Sequence, residues 1–275
     1  MKNVLITGGT GFIGHHLMSH LGGLGYHVES LPKQEFLAED FTRLKDMDRD
    51  GNNIKPDMVI HTAWPRLADI HDPAHLEFAL WSCQFLKECA DTGVKVINLG
   101  SHNEYGIKYE PANEEMICEP IDTYGLAKLM VTLYAKKLGV NTLRLFAVYG
   151  EGGRNFKSVA HHAGRFANPQ NVKDFIPVEA VCWAVERLMH APHLYGEVIN
   201  VCTGEQQSAH EIILKLLKDS PEELEREQLE LEQIQKFNRY AQRQFEPGMW
   251  VGDPEKMKRI LNLDPLYFKP PWTKQ

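Results

Sequence analysis

The sequence predicts a doubly wound α/β fold, a parallel sheet with helices on both faces, followed by a smaller α/β region. Three observations carry that prediction. Short apolar runs alternate with longer helix-like stretches over residues 1–150. Several runs hold consecutive apolar residues, as Met58–Ile60 within Asp57–Thr62 (DMVIHT) and Val96-Ile97 within Val94–Leu99 (VKVINL), which is how strands covered on both faces read. A glycine-rich turn, Thr7-Gly-Gly-Thr-Gly-Phe-Ile-Gly14, links the first run to the first helical stretch.

In chain order, Lys2–Thr7 reads as a strand, Phe12–Leu24 as a helix and His27–Leu31 as a strand. Asp57–Thr62 is the next strand, a helix follows from about Asp72 to Thr92, and Val94–Leu99 is a strand again. Thr123–Lys137 reads as a helix and Asn141–Phe146 as a strand. Beyond Gly150 the pattern loosens. Glu151–Val172 reads as a loop with one short helix, Val178–His190 as a helix, Glu197–Cys202 as a strand and Ser208–Lys218 as a helix. Pro221–Gln233 carries six Glu against one Arg, the composition of a solvated helix face. Asp253–Leu261 closes the series as a short helix. No internal repeat and no low-complexity linker interrupts it.

Composition narrows the class. A chain of 275 residues has room for one or two domains, and 43% hydrophobic with 24% charged residues is the balance of a globular protein. The net charge of −7 argues against a nucleic-acid partner, whose binding surface is basic. No apolar run reaches the roughly 18 residues of a membrane span, and the N-terminal run breaks at glycines, unlike a signal peptide. Five cysteines (Cys83, Cys89, Cys118, Cys182, Cys202) fit no CxxC spacing and read as reduced thiols. The expectation is a cytoplasmic protein with neither membrane nor nucleic-acid partner. His15, His16 and His20, and the pair His161-His162, lack the Cys or carboxylate that would complete a ligand set, so no metal is expected.

Two motifs carry chemistry. In the glycine turn, Gly8 lets the chain reverse, Gly11 lets backbone N–H groups approach a pyrophosphate, and Gly14 lets the helix pack on the strand. The N-terminus of the following helix adds partial positive charge, so Thr10, Gly11, Phe12 and Ile13 lie where a dinucleotide's phosphates would sit. Tyr124-Gly-Leu-Ala-Lys128 is Y-x-x-x-K, which places Tyr124 and Lys128 one turn apart on one helix face. A free phenol, with a pKa of about 10, is a poor acid or base near neutrality, and a neighbouring ammonium favours its phenolate.

T-G-x-x-G-x-x-G resembles the short-chain dehydrogenase/reductase superfamily, and G-G-T-G-F-I-G its extended branch, the NAD-dependent epimerase/dehydratase family with its Rossmann fold. Further segments appear in that family's order: His61–Trp64 (HTAW), Gly100–Gly106 (GSHNEYG), Arg144–Gly152, Lys173–Glu179, Val198–Gly204 and Asp253–Leu261. The whole set resembles enzymes that reduce nucleotide-diphosphate-4-keto-6-deoxysugars, such as the dTDP-6-deoxytalose 4-dehydrogenase group. The resemblance implies a dinucleotide-binding region over 1–150 and a smaller, interleaved substrate-binding region over 151–275. It implies a homodimer and a nucleotide-diphosphate sugar as substrate. Catalysis falls to Ser101, Tyr124 and Lys128. Ser101 stands five residues before the Gly of the Tyr-Gly pair, and its hydroxyl would bond the substrate carbonyl oxygen. The same resemblance puts Ala63 beside the cofactor and Asp40 near its adenine; a solvated loop carboxylate is the other reading of Asp40.

The cofactor follows from one position. NAD enzymes of this fold place an acid about 20 residues after the glycine turn, on the ribose 2′-hydroxyl. Here Pro32 stands in that slot, with Ser30 before it and Lys33 after it. NADP(H) is therefore expected over NAD(H), with Glu29 arguing the other way and a plain surface lysine the other reading of Lys33. His102 and Asn103 follow Ser101 where nucleotide-sugar dehydratases carry Asp-Glu, which argues against dehydration. Together with Arg154, Asn155 and Lys173 they are the candidate substrate contacts; scattered surface cations are the other reading of those last residues. Ala147 replaces the usual Asn of its segment, and the stretch Gly150–Lys173 is short for the branch. The leading expectation is an NAD(P)H-dependent reductase. A 4-epimerase with bound NAD stands second, and a non-catalytic NADP-binding regulatory protein third.

Overall fold

The structure, a computed structural model, describes residues 3–31, 56–152, 172–208 and 249–267. Its main sheet has six strands in the order β2-β1-β3-β4-β5-β9, every neighbouring pair parallel. These are β1 (Asn3–Thr7), β2 (His27–Leu31), β3 (Met58–His61), β4 (Lys95–Ser101), β5 (Asn141–Leu145) and β9 (Val198–Val201). The chain leaves β1 toward β2 on one side and returns to β3 on the other. The switch of direction therefore lies between β1 and β3, and in such sheets the crevice beyond the strand C-termini at that switch takes the ligand.

Alternate residues of each strand feed opposite faces. Val4 and Ile6 join Leu17 and Leu21 of α1 (Phe12–Gly23) and Val181, Ala184, Val185 and Leu188 of α4 (Val178–Met189). Leu5, Val59 and Val96 join Phe78, Phe85 and Leu86 of α2 (Ala74–Asp91) and Ala127, Val131 and Ala135 of α3 (Thr123–Lys137). This two-sided burial explains the nearly continuous apolar runs in the strands. The short helix α5 (Glu255–Leu261) packs Met257 and Leu261 onto the first of these clusters.

Most expected elements agree to within a residue or two. The expectation placed the sheet within residues 1–150, and the structure draws its sixth strand, β9, from beyond them. Five short strands were not anticipated. Beta6 (Ala147–Tyr149) pairs with β8 (Phe175–Pro177), and β7 (Val172–Lys173) lies between β10 (Gln207–Ser208) and β11 (Met249–Trp250). They are two or three residues long, too short for any period to register. Buried Asp174 ties them to the end of β9: its carboxylate accepts from the backbone N–H of Thr203 and Gly204 and from the Thr203 hydroxyl at 2.6 Å. Burial lifts its pKa to about 6, with those hydrogen bonds acting in the opposite direction. Of the helix expected over Ser208–Lys218 only Ser208 is described, and it ends β10; the rest of that helix, the acidic run Pro221–Gln233 and His161-His162 lie outside the described residues.

Candidate active site

The glycine turn follows β1 and opens α1 without side-chain help. Gly8 takes φ +74°, a conformation costly for other residues. A Cβ on Gly14 would fall 2.2 Å from the Gly8 carbonyl oxygen, so α1 rests directly on the turn. Gly11 is the N-cap and offers no side-chain acceptor, and no acid sits in the first turn, which leaves the helix N–H groups for a ligand. Thr10 and Gly11 are exposed, while Phe12 and Ile13 are half-buried. The turn abuts the end of β3, where a Cβ on Gly8 would lie 2.9 Å from the Ala63 Cα. Thr7 secures that junction: its hydroxyl is 2.8 Å from His61 Nδ1 and accepts from the Ala63 N–H at 3.2 Å. On the other side, a Cβ on Gly9 would meet the Ser30 hydroxyl. Alternation along β2 turns Glu29 to the opposite face, where its carboxylate is 3.9 Å from His27.

Helix α3 carries Tyr124 and Lys128. Asp122 caps it by accepting from the Gly125 N–H at 2.6 Å. Lys128 is buried, donates to the Leu99 carbonyl at 3.0 Å and lies 4.0 Å over the Trp64 ring. Burial draws its ammonium down to about 8, with Glu104 acting in the opposite direction. Trp64 also meets the Tyr124 ring edge-on at 5.9 Å, and His75 meets it at 5.3 Å. The indole N–H of Trp64 donates to His75 Nδ1 at 3.2 Å, and His75 Nε2 faces the Asp69 carbonyl at the same distance. A carbonyl only accepts, so the proton sits on Nε2 and His75 is neutral. Trp64 is thus a fixed wall beside both motif residues, held by a partner that the sequence reading did not identify.

Ser101 ends β4 and caps a 3₁₀ turn, His102–Tyr105. Its hydroxyl oxygen accepts from the Asn103 N–H, and its own N–H donates to Glu104. His102 stacks on Phe146 at 5.4 Å, and its Nδ1 lies 3.3 Å from the Leu145 carbonyl. Burial, with the charge of Lys173 added to it, draws the His102 pKa down to about 3 and keeps the imidazole neutral. Lys173 in turn lies 5.7 Å over the Trp250 ring. Asn103 donates from its amide to Asp122 at 3.1 Å, which binds the turn to the cap of α3.

A glycine cradle at a helix start, a Tyr-Lys pair on the adjoining helix face and a buried Ser at the next strand end are now in place. The family model for the NAD dependent epimerase/dehydratase family matches residues 4–202. The chain belongs to this family. A relative in Aggregatibacter actinomycetemcomitans, GDP-6-deoxy-D-talose 4-dehydrogenase, is 27% identical over 95% of this chain and 92% of its own. GDP-6-deoxy-D-mannose reductase of Pseudomonas aeruginosa is 28% identical over 82% of each chain. Among solved structures, RMD from Pseudomonas aeruginosa complexed with NADPH aligns with a TM-score of 0.71 at 23% identity, over 96% of this chain and 94% of that one. At that identity the likeness shows the fold.

The residues of the turn fit the dinucleotide that an NAD dependent family implies: Gly14 lets α1 close directly onto the turn, and the α1 N-terminus has no side chain of its own to satisfy it. Thr7–Gly14 and Ser30 would hold the dinucleotide, with Ala63 on its flank. Lys33, Asp40, Arg154 and Asn155 lie outside the described residues. Among the described residues no group of three His, Cys, Asp or Glu could hold a metal ion, and no helix is long and apolar enough to cross a membrane. His20 instead bonds Glu186 at 2.8 Å.

Proposed function

We propose that this protein reduces the C4 ketone of a nucleotide-diphosphate-4-keto-6-deoxysugar, using NADPH in preference to NADH. The observation that carries this reading is the convergence of Tyr124, Lys128 and the Ser101 turn at the strand ends beside the glycine cradle, with His102-Asn103 where a dehydratase pair would stand. A 4-dehydrogenase and a reductase of 6-deoxysugar nucleotides among the relatives support the substrate class.

The roles follow from the contacts. The Ser101 oxygen accepts from the Asn103 N–H, so its own O–H is left to donate to the ketone oxygen. Tyr124, braced by Trp64 and His75, gives its proton to that oxygen as negative charge develops there. Lys128 supplies the neighbouring positive charge that favours the tyrosinate left behind. A bound nicotinamide would supply the hydride. Lys173 and Trp250, close to His102, form the described part of the wall that would meet the sugar nucleotide, with Arg154 and Asn155 as its further cations and donors. The preference for NADPH rests on Ser30, Pro32 and Lys33 in place of the ribose-binding acid, and on Glu29 pointing away from the cradle. Exposed Leu80 on α2, with Leu126 and Leu133 on α3, gives the homodimer reading an apolar stripe to bury.

The test supplies excess NADPH and compares a nucleotide-diphosphate-4-keto-6-deoxysugar with the same sugar freed of its nucleotide. Binding energy from the remote diphosphate orients the ketone, so the free sugar should lose turnover as well as affinity. Equal reduction of both would replace the reading with a small-carbonyl reductase. Interconversion of C4 epimers at constant cofactor would replace it with an epimerase.

A further inference from the structure

Behind Ser101 lies a carboxylate that the roles above leave unused. Glu104 is 0% exposed. Its Oε1 accepts from the Ser101 backbone N–H at 2.7 Å and from the Thr132 hydroxyl at 3.0 Å. Its Oε2 accepts from Arg144 Nε and Nη2, both at 2.9 Å. Gly100 makes the room, since a Cβ there would come within 2.5 Å of Glu104 Oε1. Arg144 is itself held on the other side, 4.3 Å over the Tyr105 ring, whose hydroxyl donates to Asn200. Glu104 therefore bonds three elements at once: the turn, α3 through Thr132, and β5 through Arg144. Those are the turn that carries Ser101 and the helix that carries Tyr124 and Lys128.

A purely structural ion pair would need only Arg144. This carboxylate spends its other oxygen on the backbone of Ser101 and on the Lys128 helix. A buried carboxylate with four donors on it cannot shift without losing charge-assisted bonds, so it sets the position of whatever it holds. It also places negative charge on the side of a buried ammonium whose direct contacts among the described residues are the Leu99 carbonyl and the Trp64 ring. The other titratable groups around Lys128 are Tyr124 on its own helix and His61 on β3, with Arg144 of β5 beyond Glu104. His61 is kept neutral by burial and by Lys128, so it adds no second positive charge there.

We propose that Glu104 is the positioning residue of this site: it fixes Ser101 through the backbone N–H and ties that turn, through Thr132, to the helix that carries Tyr124 and Lys128. This rests on the reading of Ser101 and Lys128 as reacting residues, yet two of its readouts need no substrate. The first is hydrogen exchange of the Ser101 amide; the second is NMR titration of the labelled Lys128 side chain. In Glu104→Gln the Ser101 amide should exchange about tenfold faster or more, the scale of one charge-assisted bond. The Lys128 midpoint should fall by about one pH unit, because the charge opposing its desolvation is gone. Thr132→Val removes a bond but keeps the charge, and should leave the midpoint in place. Should Glu104→Gln not fold, Glu104→Gln with Arg144→Met neutralises the pair without stranding a cation; Ser101 exchange should rise as in the single variant, and the Lys128 midpoint should fall by less, because a cation leaves with the carboxylate. With the nucleotide 4-keto sugar, kcat should fall tenfold or more while KM stays nearly unchanged. Unchanged Ser101 exchange and an unchanged Lys128 midpoint in a folded variant would overturn the proposal. If both change but the wild-type protein reduces no nucleotide sugar, the positioning role stands and the substrate reading fails.

Discussion

The glycine turn at Gly8–Gly14 and the turn at Ser101–Tyr105 stand at the ends of neighbouring parts of one sheet, and they are held by opposite means. The first works through backbone alone: no side chain caps α1, and Gly14 approaches Gly8 too closely to carry a Cβ. The second works through side chains: Ser101 and Glu104 cap each other, and Thr132, Arg144 and Asp122 fasten the turn from three other places in the chain. The first leaves donors open for a ligand that brings its own charge. The second uses up its donors so that one hydroxyl and one phenol stay in place. The proposed roles, binding for the first turn and reaction for the second, call for these different constructions, because only a reacting loop must hold geometry within a fraction of an ångström.

The comparison breaks most readily at Gly14. Gly14→Ala sets a Cβ against the Gly8 carbonyl, a contact that only movement of the backbone relieves. It should cost about 1–3 kcal/mol of stability, the usual price of overpacking. Dinucleotide affinity should fall roughly tenfold or more, since displaced N–H groups lose charge-assisted bonds. Calorimetric titration with NADPH, alongside a denaturation curve, measures both. Wild-type affinity in Gly14→Ala would mean that the turn is not a backbone cradle.

Two buried groups give the protein opposing responses to acid. His61 is neutral in the fold with its pKa drawn down to about 3 by burial and by Lys128. Between about pH 6.5 and 3 the unfolded chain takes up a proton there that the native state refuses, so stability falls on acidification. Asp174 has its pKa raised to about 6, so between about pH 6 and 4 the native state takes up the extra proton and stability rises on acidification. His61→Asn should therefore lose less stability than wild type between pH 7 and pH 4.5, and Asp174→Asn should lose more. Urea midpoints at several pH values test the two signs, and parallel curves for both variants would contradict them.

A smaller effect sharpens the cofactor side. Lys33→Ala should weaken NADPH a few-fold and NADH hardly at all, because only NADPH carries the 2′-phosphate and a salt-screened ion pair is worth under about 1 kcal/mol. Equal losses for both cofactors would remove Lys33 from phosphate recognition.

The same contrast explains what was legible in the sequence. The glycine turn and Y-x-x-x-K are local patterns, complete within five to eight residues, and strand–turn–helix context makes each readable. The S-x-x-E of Ser101 and Glu104 is also local, and a capping-box reading could have found it. Its other partners could not be found that way: Arg144 lies 40 residues on, and only the crossover from β4 to β5 makes them neighbours. The Trp64–His75 pair escaped because a buried histidine at helical spacing looks like ordinary core. The five short strands escaped because pairs with distant partners define them.

In the proposed carbonyl reduction Tyr124 delivers the proton. The direct measurement follows NADPH consumption and C4 alcohol formation by wild type and Tyr124→Phe with a nucleotide-diphosphate-4-keto-6-deoxysugar. Phenylalanine keeps the ring against Trp64 and His75 and removes only the hydroxyl. The account predicts one NADPH consumed per alcohol formed by wild type, and turnover lower by about 10²–10⁴ in the variant with NADPH affinity retained. Near-wild-type turnover by Tyr124→Phe would contradict it.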